Sequence, residues 1–136
     1  MTRRRHISHV RDDRGQAAVE FALVAPALIV LLLAIVQCGI TFSHYLAVTD
    51  AARAAARKAV VARVAGLTAA DIQQAGDDAA ADLDETQLGV AVSPPNPGAQ
   101  MAGTDVTVTV TYPYEINVLG YHYKGSLTST MTDRIE

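Results

Sequence analysis

The chain has no tryptophan, a single cysteine and only two phenylalanines in 136 residues. With Cys38 alone, an intramolecular disulfide framework and any cysteine-rich metal site are excluded. Charge is scarce too: 18% of the residues are Asp, Glu, Lys or Arg, where a soluble domain carries about a quarter. No charged residue occurs between Glu20 and Asp50, which argues against a soluble enzyme built around one core. The body lacks a basic stripe able to neutralise several phosphates, so no nucleic-acid partner is expected. A Gly-Lys-Ser/Thr phosphate loop is absent as well, and the chain cannot itself draw on a nucleotide for energy.

What is present is unevenly spread. Arg3, Arg4, Arg5, Arg11 and Arg14 face only Asp12 and Asp13 in the first 15 residues, although the whole chain sums to −3. A basic head, an apolar run and an acidic remainder point to membrane targeting. The run from Phe21 to Phe42 is uncharged; as a helix its roughly 22 residues span about 33 Å, against about 30 Å of bilayer hydrocarbon. A cleavable secretory signal is the main competitor, but its apolar stretch is usually about 7–15 residues long. Pro26 falls one turn inside the run, where a membrane helix tolerates a kink because neighbours satisfy the freed carbonyl. Arginines crowd the N-terminal side, while Arg53, Arg57 and Lys58 lie well beyond the run. That asymmetry predicts a cytoplasmic N-terminus, with the rest of the chain facing away from the cytoplasm.

The helix is expected to outlast the membrane. Residues 43–65 contain neither Pro nor Gly, and 51–65 hold eight alanines, the best helix former. Gly66 is a natural stop. One continuous helix over 16–65 would be about 75 Å long. Tyr45, Val48, Ala52, Ala55, Ala59 and Ala62 recur at spacings of three and four and so share one stripe, small enough for close approach. Val60, Val61 and Val64 fall on another side, which predicts cover on two faces near the end. Thr68 with Asp71 reads as the start of a shorter helix over 69–84, weakened by Gly76. Val90 to Ser93 reads as a short strand, and Pro94, Pro95, Pro97 and Gly98 as a loop. Asp105 to Tyr112 alternates Val with Thr as a half-buried strand does, with Pro113 ending it or placing it at an edge. Leu127 to Thr132 alternates again and pairs with it as a hairpin. The expected class is α+β: a long N-terminal transmembrane helix leading into a small head with a short helix and an antiparallel hairpin or three-stranded sheet. The expected division is a basic leader over 1–15, the long helix over 16–65 with its membrane span at about 21–42, and the head over 66–136. With no Trp, Phe or disulfide in the head, its core is thin and needs support from the long helix.

The most informative local pattern is Arg14-Gly15-Gln16-Ala17-Ala18-Val19-Glu20-Phe21, followed by Ala22-Leu23-Val24-Ala25-Pro26. A basic leader ends in glycine, and one acid sits at the fifth position after it, where the apolar run begins. This pattern resembles the processing site of type IV pilin-like proteins, in particular the TadE-like pseudopilins of the tight-adherence (Tad/Flp) pilus system. The resemblance covers residues 11–65 well and continues weakly into the Val/Thr strands and Thr130-Met131-Thr132-Asp133-Arg134. It implies a prepilin peptidase cutting between Gly15 and Gln16, a protein partner set of other pilins or pseudopilins and the Tad assembly platform, and a role in pilus biogenesis and adhesion. Many type IV pilins carry Phe or Met after the cut. This chain carries Gln16, which favours the looser Tad-type members, and its head is larger than the major Flp subunit has.

Physical chemistry supports the same residues. Glycine before the scissile bond lets the backbone lie extended in a protease cleft. Glu20 would stand as a carboxylate at the edge of hydrocarbon, where an ionised group costs less than the about 2.5–3.5 kcal/mol it costs at mid-bilayer. Pairing with the new α-amine of a neighbouring Gln16 offsets that cost and sets register; the plainer reading is an interfacial acid in solvent. Phe21 accompanies Glu20 in the expected subunit contact.

Other residue types lead nowhere specific. Cys38 follows Gln37, not the small residue that lipidation expects, so a thiol within the membrane helix is the simpler reading. His6, His9, His44 and His122 are too scattered for a metal pair, and Asp71, Asp77, Asp78, Asp82, Asp84 and Glu85 lack the spacing of a calcium loop. Ser43, His44 and Asp50 are near in sequence, with nothing to orient them as a triad. No enzyme, cofactor or small-molecule substrate is expected. Tyr112, Tyr114, Tyr121 and Tyr123 place four of the five tyrosines around the hairpin, either as a contact surface for another subunit or as ordinary packing. The sequence therefore reads as a membrane-anchored pseudopilin or minor pilin. The alternative is an uncleaved single-pass anchor presenting a binding or adhesive head.

Overall fold

In a computed structural model the described residues are Asp13–Val118 and Gly120–Glu136, with side chains described from Gly15 onward. Most of the basic leader, with His6 and His9, lies outside them.

The alanine-rich, glycine-free sequence after the apolar run propagates helix without interruption. Helix α1 runs Asp13–Val60, 48 residues with Pro26 inside, or about 72 Å. It breaks at Val61, whose backbone sits at φ −92° and ψ 0°, before one further turn, α2, Ala62–Ala65. Gly66 closes that turn in the left-handed region at φ 65°, and the amide of Leu67 also donates to the Ala62 carbonyl at 2.9 Å. A left-handed residue after the last turn is the stop that glycine supplies without strain.

Helix α3, Ala69–Ala79, begins at a reciprocal cap. The Thr68 hydroxyl accepts from the Asp71 amide at 3.3 Å, and the Asp71 carboxylate accepts from the Thr68 amide at 2.7 Å. The helix ends five residues short of the expected 84. Asp84 instead accepts from the Thr86 amide at 3.0 Å and the Thr86 hydroxyl at 2.6 Å, a local turn that competes with helix for the backbone. Ala80, Leu83 and Leu88 use the resulting turns to reach the core.

Three antiparallel strands follow in the spatial order β1-β2-β3: β1 Gly89–Ser93, β2 Asp105–Val118 and β3 Tyr121–Arg134. Both hairpin strands are longer than the Val/Thr alternation predicts, and β2 passes through Pro113. The register explains why. β1 pairs with β2 only from Thr107 to Thr111, so Pro113, paired with Ser126 of β3, sits beside an open edge where a missing donor is tolerated. Between β1 and β2, a single 3₁₀ turn occupies Pro97–Ala99.

One face of β2, with Val106, Val108, Val110 and Tyr112, is buried together with Val48, Ala51, Ala52, Ala55, Ala56 and Ala59 of α1. The other face carries a threonine ladder, half-buried on β2, in which the Thr107 and Thr132 hydroxyls lie 2.9 Å apart. Gly76 of α3 is wedged between α1 and β1. A Cβ there would lie 3.1 Å from Val90 Cγ2 and 3.7 Å from Ala55 Cβ. The end of the sheet is tied back to α1: the Glu136 amide donates to the Val60 carbonyl at 3.2 Å, and Arg63 Nε to the Glu136 carbonyl at 3.1 Å. The expected second covered face is not formed. Val61 and Val64 are 38% and 74% exposed. Tyr45, at the start of the small-residue stripe, is also exposed.

Two outcomes follow from this packing. Ala55→Leu, at the Gly76 contact, should destabilise the head by about 1–3 kcal/mol through overpacking, read as a lower midpoint in denaturant unfolding of the full chain in detergent. Asp77 carries a buried carboxylate oxygen without a hydrogen-bond partner. Desolvation, then repulsion from Asp78, raises its pKa. The folded state therefore holds that proton more tightly than the unfolded chain, and stability is lost as pH rises through the folded pKa. Asp77→Asn should raise the unfolding temperature at pH 7, with the gain vanishing below the usual carboxylate range. An equal gain at all pH values would refute the ionisation account.

Candidate assembly interface

Nothing in the head buries the first half of α1. Among the described residues one helix is long and apolar enough to cross a membrane, and none of its most apolar 18-residue window is buried. Leu23, Leu32, Ile35 and Phe42 are 76%, 61%, 61% and 62% exposed. A helix apolar on every side needs an apolar surrounding, and monomeric soluble proteins rarely leave a contiguous patch of this extent in water. The fit is to a single-pass membrane protein.

Gly15 and Gln16 lie in the first turns of this helix rather than in an extended segment. A protease taking that bond in extended form must unwind the first turn, which glycine eases by about 0.5–1 kcal/mol relative to alanine. Gln16 Nε2 donates to Glu20 Oε1 at 3.1 Å across one turn, both side chains exposed. Phe21, next to Glu20, is 69% exposed. Pro26 has no amide hydrogen, so the Ala22 carbonyl one turn earlier loses its helical donor.

The four hairpin tyrosines do not form one surface. Tyr112 is buried, its ring edge-on to His44 at 5.6 Å and 79°, and belongs to the core. Tyr114 lies over Gly125, its cross-strand partner, where a Cβ would come within 2.6 Å of the ring. Its centroid is 6.3 Å from that of Tyr123. Tyr121 and Tyr123 are the exposed members. His44, Gly76 and Gly125 carry no local sequence signal of their contacts, which arise only once the head packs on α1 and β2 pairs with β3.

Among the described residues no group of three His, Cys, Asp or Glu side chains converges to hold a metal. The acidic cluster is dispersed into separate tasks. Asp71 caps α3, and hydrogen bonds from Thr68 lower its pKa. Asp84 closes the Thr86 turn, and hydrogen bonds from Thr86 and Gln87 lower its pKa.

No curated protein and no solved structure matches the chain. A family model does, that described as TadE-like protein, over residues 15–57. The matched segment begins at Gly15, includes Glu20, Phe21 and Pro26, and ends in the alanine stretch under the sheet. The likeness to the TadE-like family thus lies in this part of the chain, the membrane-length helix and the start of its extension.

Proposed function

We propose that the chain is a structural pseudopilin or minor pilin of a Tad pilus, held in the cytoplasmic membrane with its N-terminus cytoplasmic and its head outside. The observation that carries the reading is the exposed apolar length of α1, which falls within the TadE-like match over residues 15–57. In this reading a prepilin peptidase removes the arginine-rich leader between Gly15 and Gln16. The cut discards the charges that hold the N-terminus at the cytoplasmic face and leaves one α-amine on Gln16.

Glu20 then stands one turn from that amine in its own chain and faces outward toward other subunits. A carboxylate at the margin of hydrocarbon is stabilised by any cation it meets there, and the amine of a neighbouring pilin or pseudopilin is the cation that processing creates. The contact would set the stagger between helices while Phe21 packs beside it. Pro26 frees a carbonyl that a neighbouring helix can also satisfy. Assembly energy comes from the Tad platform, and the head contributes contacts to other subunits or to a surface during adhesion.

Intact-mass measurement of the membrane-extracted protein, expressed with and without a prepilin peptidase, should show a peptidase-dependent start at Gln16. A start at Met1 in both samples would identify an uncleaved anchor, and a start beyond Phe42 an ordinary secretory signal. For the pairing step, Glu20→Ala should abolish incorporation into pili while leaving membrane insertion intact. Normal pilus assembly by that variant would remove Glu20 from the mechanism.

A further inference from the structure

We infer that the tip of the β2–β3 hairpin is a second membrane contact, lying at the head-side interface of the bilayer with its tyrosine-bearing face against lipid. The inference rests on the proposed reading that α1 spans the membrane.

The axial register along α1 places the tip. The Glu136 amide bonds the Val60 carbonyl, Tyr112 packs on His44, and further along β2 a groove of about 330 Å³ is lined by Cys38, Thr41, Phe42, Tyr45, Ile116 and Leu127. β2 therefore runs along α1 toward the apolar run. From Ile116 to Val118 the strand advances about 7 Å, equal to four or five residues of helix rise. That step carries the Val118–Tyr121 pair past Phe42, beside the last turns of the uncharged stretch. A bilayer that holds this stretch in hydrocarbon must meet the tip.

The tip has the chemistry of such a contact. Alternation and register put Tyr114, Ile116, Val118, Tyr121 and Tyr123 on one face, and Glu115, Asn117, His122 and Lys124 on the other. On the polar face Lys124 pairs with Glu115. The apolar face extends beyond the core, which ends at Tyr112, and Tyr121 and Tyr123 are 83% and 64% exposed. Tyrosine is enriched at membrane interfaces because its ring sits among acyl chains while its hydroxyl reaches the headgroups. Depth is limited by the backbone. β1 ends opposite Thr111, so past that point the outer edges of the hairpin present amides and carbonyls that hydrocarbon cannot satisfy. The two constraints together hold the tip at headgroup level.

The absence of tryptophan allows a direct test with single-tryptophan variants of the full chain in phosphatidylcholine vesicles carrying acyl chains brominated near the headgroup or near the bilayer centre. Tyr121→Trp and Tyr123→Trp should emit at shorter wavelength than free tryptophan and be quenched at least about twofold more by shallow than by deep bromine. Leu32→Trp should be quenched best by deep bromine, and Met101→Trp, in the exposed loop before β2, by neither. Quenching of Leu32→Trp without quenching of either tip variant overturns the inference and leaves the membrane span standing. Failure of Leu32→Trp as well overturns both. Short-wavelength emission at the tip that lipid does not quench, and that is lost as protein is diluted into lipid, assigns this face to a second copy of the chain and also overturns the inference.

Discussion

The close approach of the head to one alanine face of α1 is the constraint on which the remaining structure depends. Val48, Ala51, Ala52, Ala55, Ala56, Ala59 and Ala62 are all buried, and at about 100° per residue they cover an arc of about 140°. No side chain on that arc is larger than valine, so the β2 face and α3 come near to the helix backbone, and Gly76 lets α3 come nearer still. The large apolar groups are supplied from the other side, by Ile72, Val106, Val108, Val110 and Ile135. Three strands with one apolar face are the minimum for a sheet of independent stability, and a head without tryptophan or disulfide has little else to bury. The extension of α1 is therefore a structural part of the head.

The same helix serves two surroundings. Its alanine half is covered by sheet and α3, whereas none of the most apolar window in its leucine- and valine-rich half is buried. No glycine or proline separates them between 43 and 60, and regular helix without such residues bends only gently. The head is consequently borne on a stiff rod, and the depth of the rod in a membrane sets the height of every strand. The break at Val61 comes only after the last residues that the sheet needs, and the bonds from Val60 and Arg63 to Glu136 close the structure there.

Much of this architecture was legible because it follows from local rules. An uncharged run of membrane length, the lack of Pro and Gly after it, the Thr68–Asp71 cap, the Gly66 stop and the Val/Thr alternation each act within a few residues. The departures arise where a distant partner decides. Pro113 could be kept within β2 because β1 is short, and nothing near Pro113 encodes the length of β1. Helix α3 stops at Ala79, and the chain beyond it takes turns that bury Ala80, Leu83 and Leu88, a choice made by the distant core they reach. Val61 and Val64 read as a second apolar face, but an apolar face becomes a core only when an element arrives to cover it. Tyr112 shares its alternation with Tyr114, and only the end of the core separates the buried ring from the half-exposed one. The Gly15–Glu20 pattern was equally legible, yet its chemistry needs a protease and a neighbour, so the chain by itself displays only the positions of these residues on the first turns of α1.

Unsatisfied polar groups distinguish the two halves of the helix. Around the alanine half, among the described residues, Asp77 carries the buried side-chain oxygen that lacks a partner, and it lies on α3. The membrane-length half instead displays the Ala22 carbonyl freed by Pro26 and the Glu20 carboxylate, which has one hydrogen bond from Gln16 within its own chain. In water these groups cost nothing to leave open. In hydrocarbon each gains by meeting a partner, and the head cannot provide one because it lies at the other end of α1. Within the proposed pilus role, the drive to associate therefore belongs to the first turns of the helix, and the head can vary without weakening it.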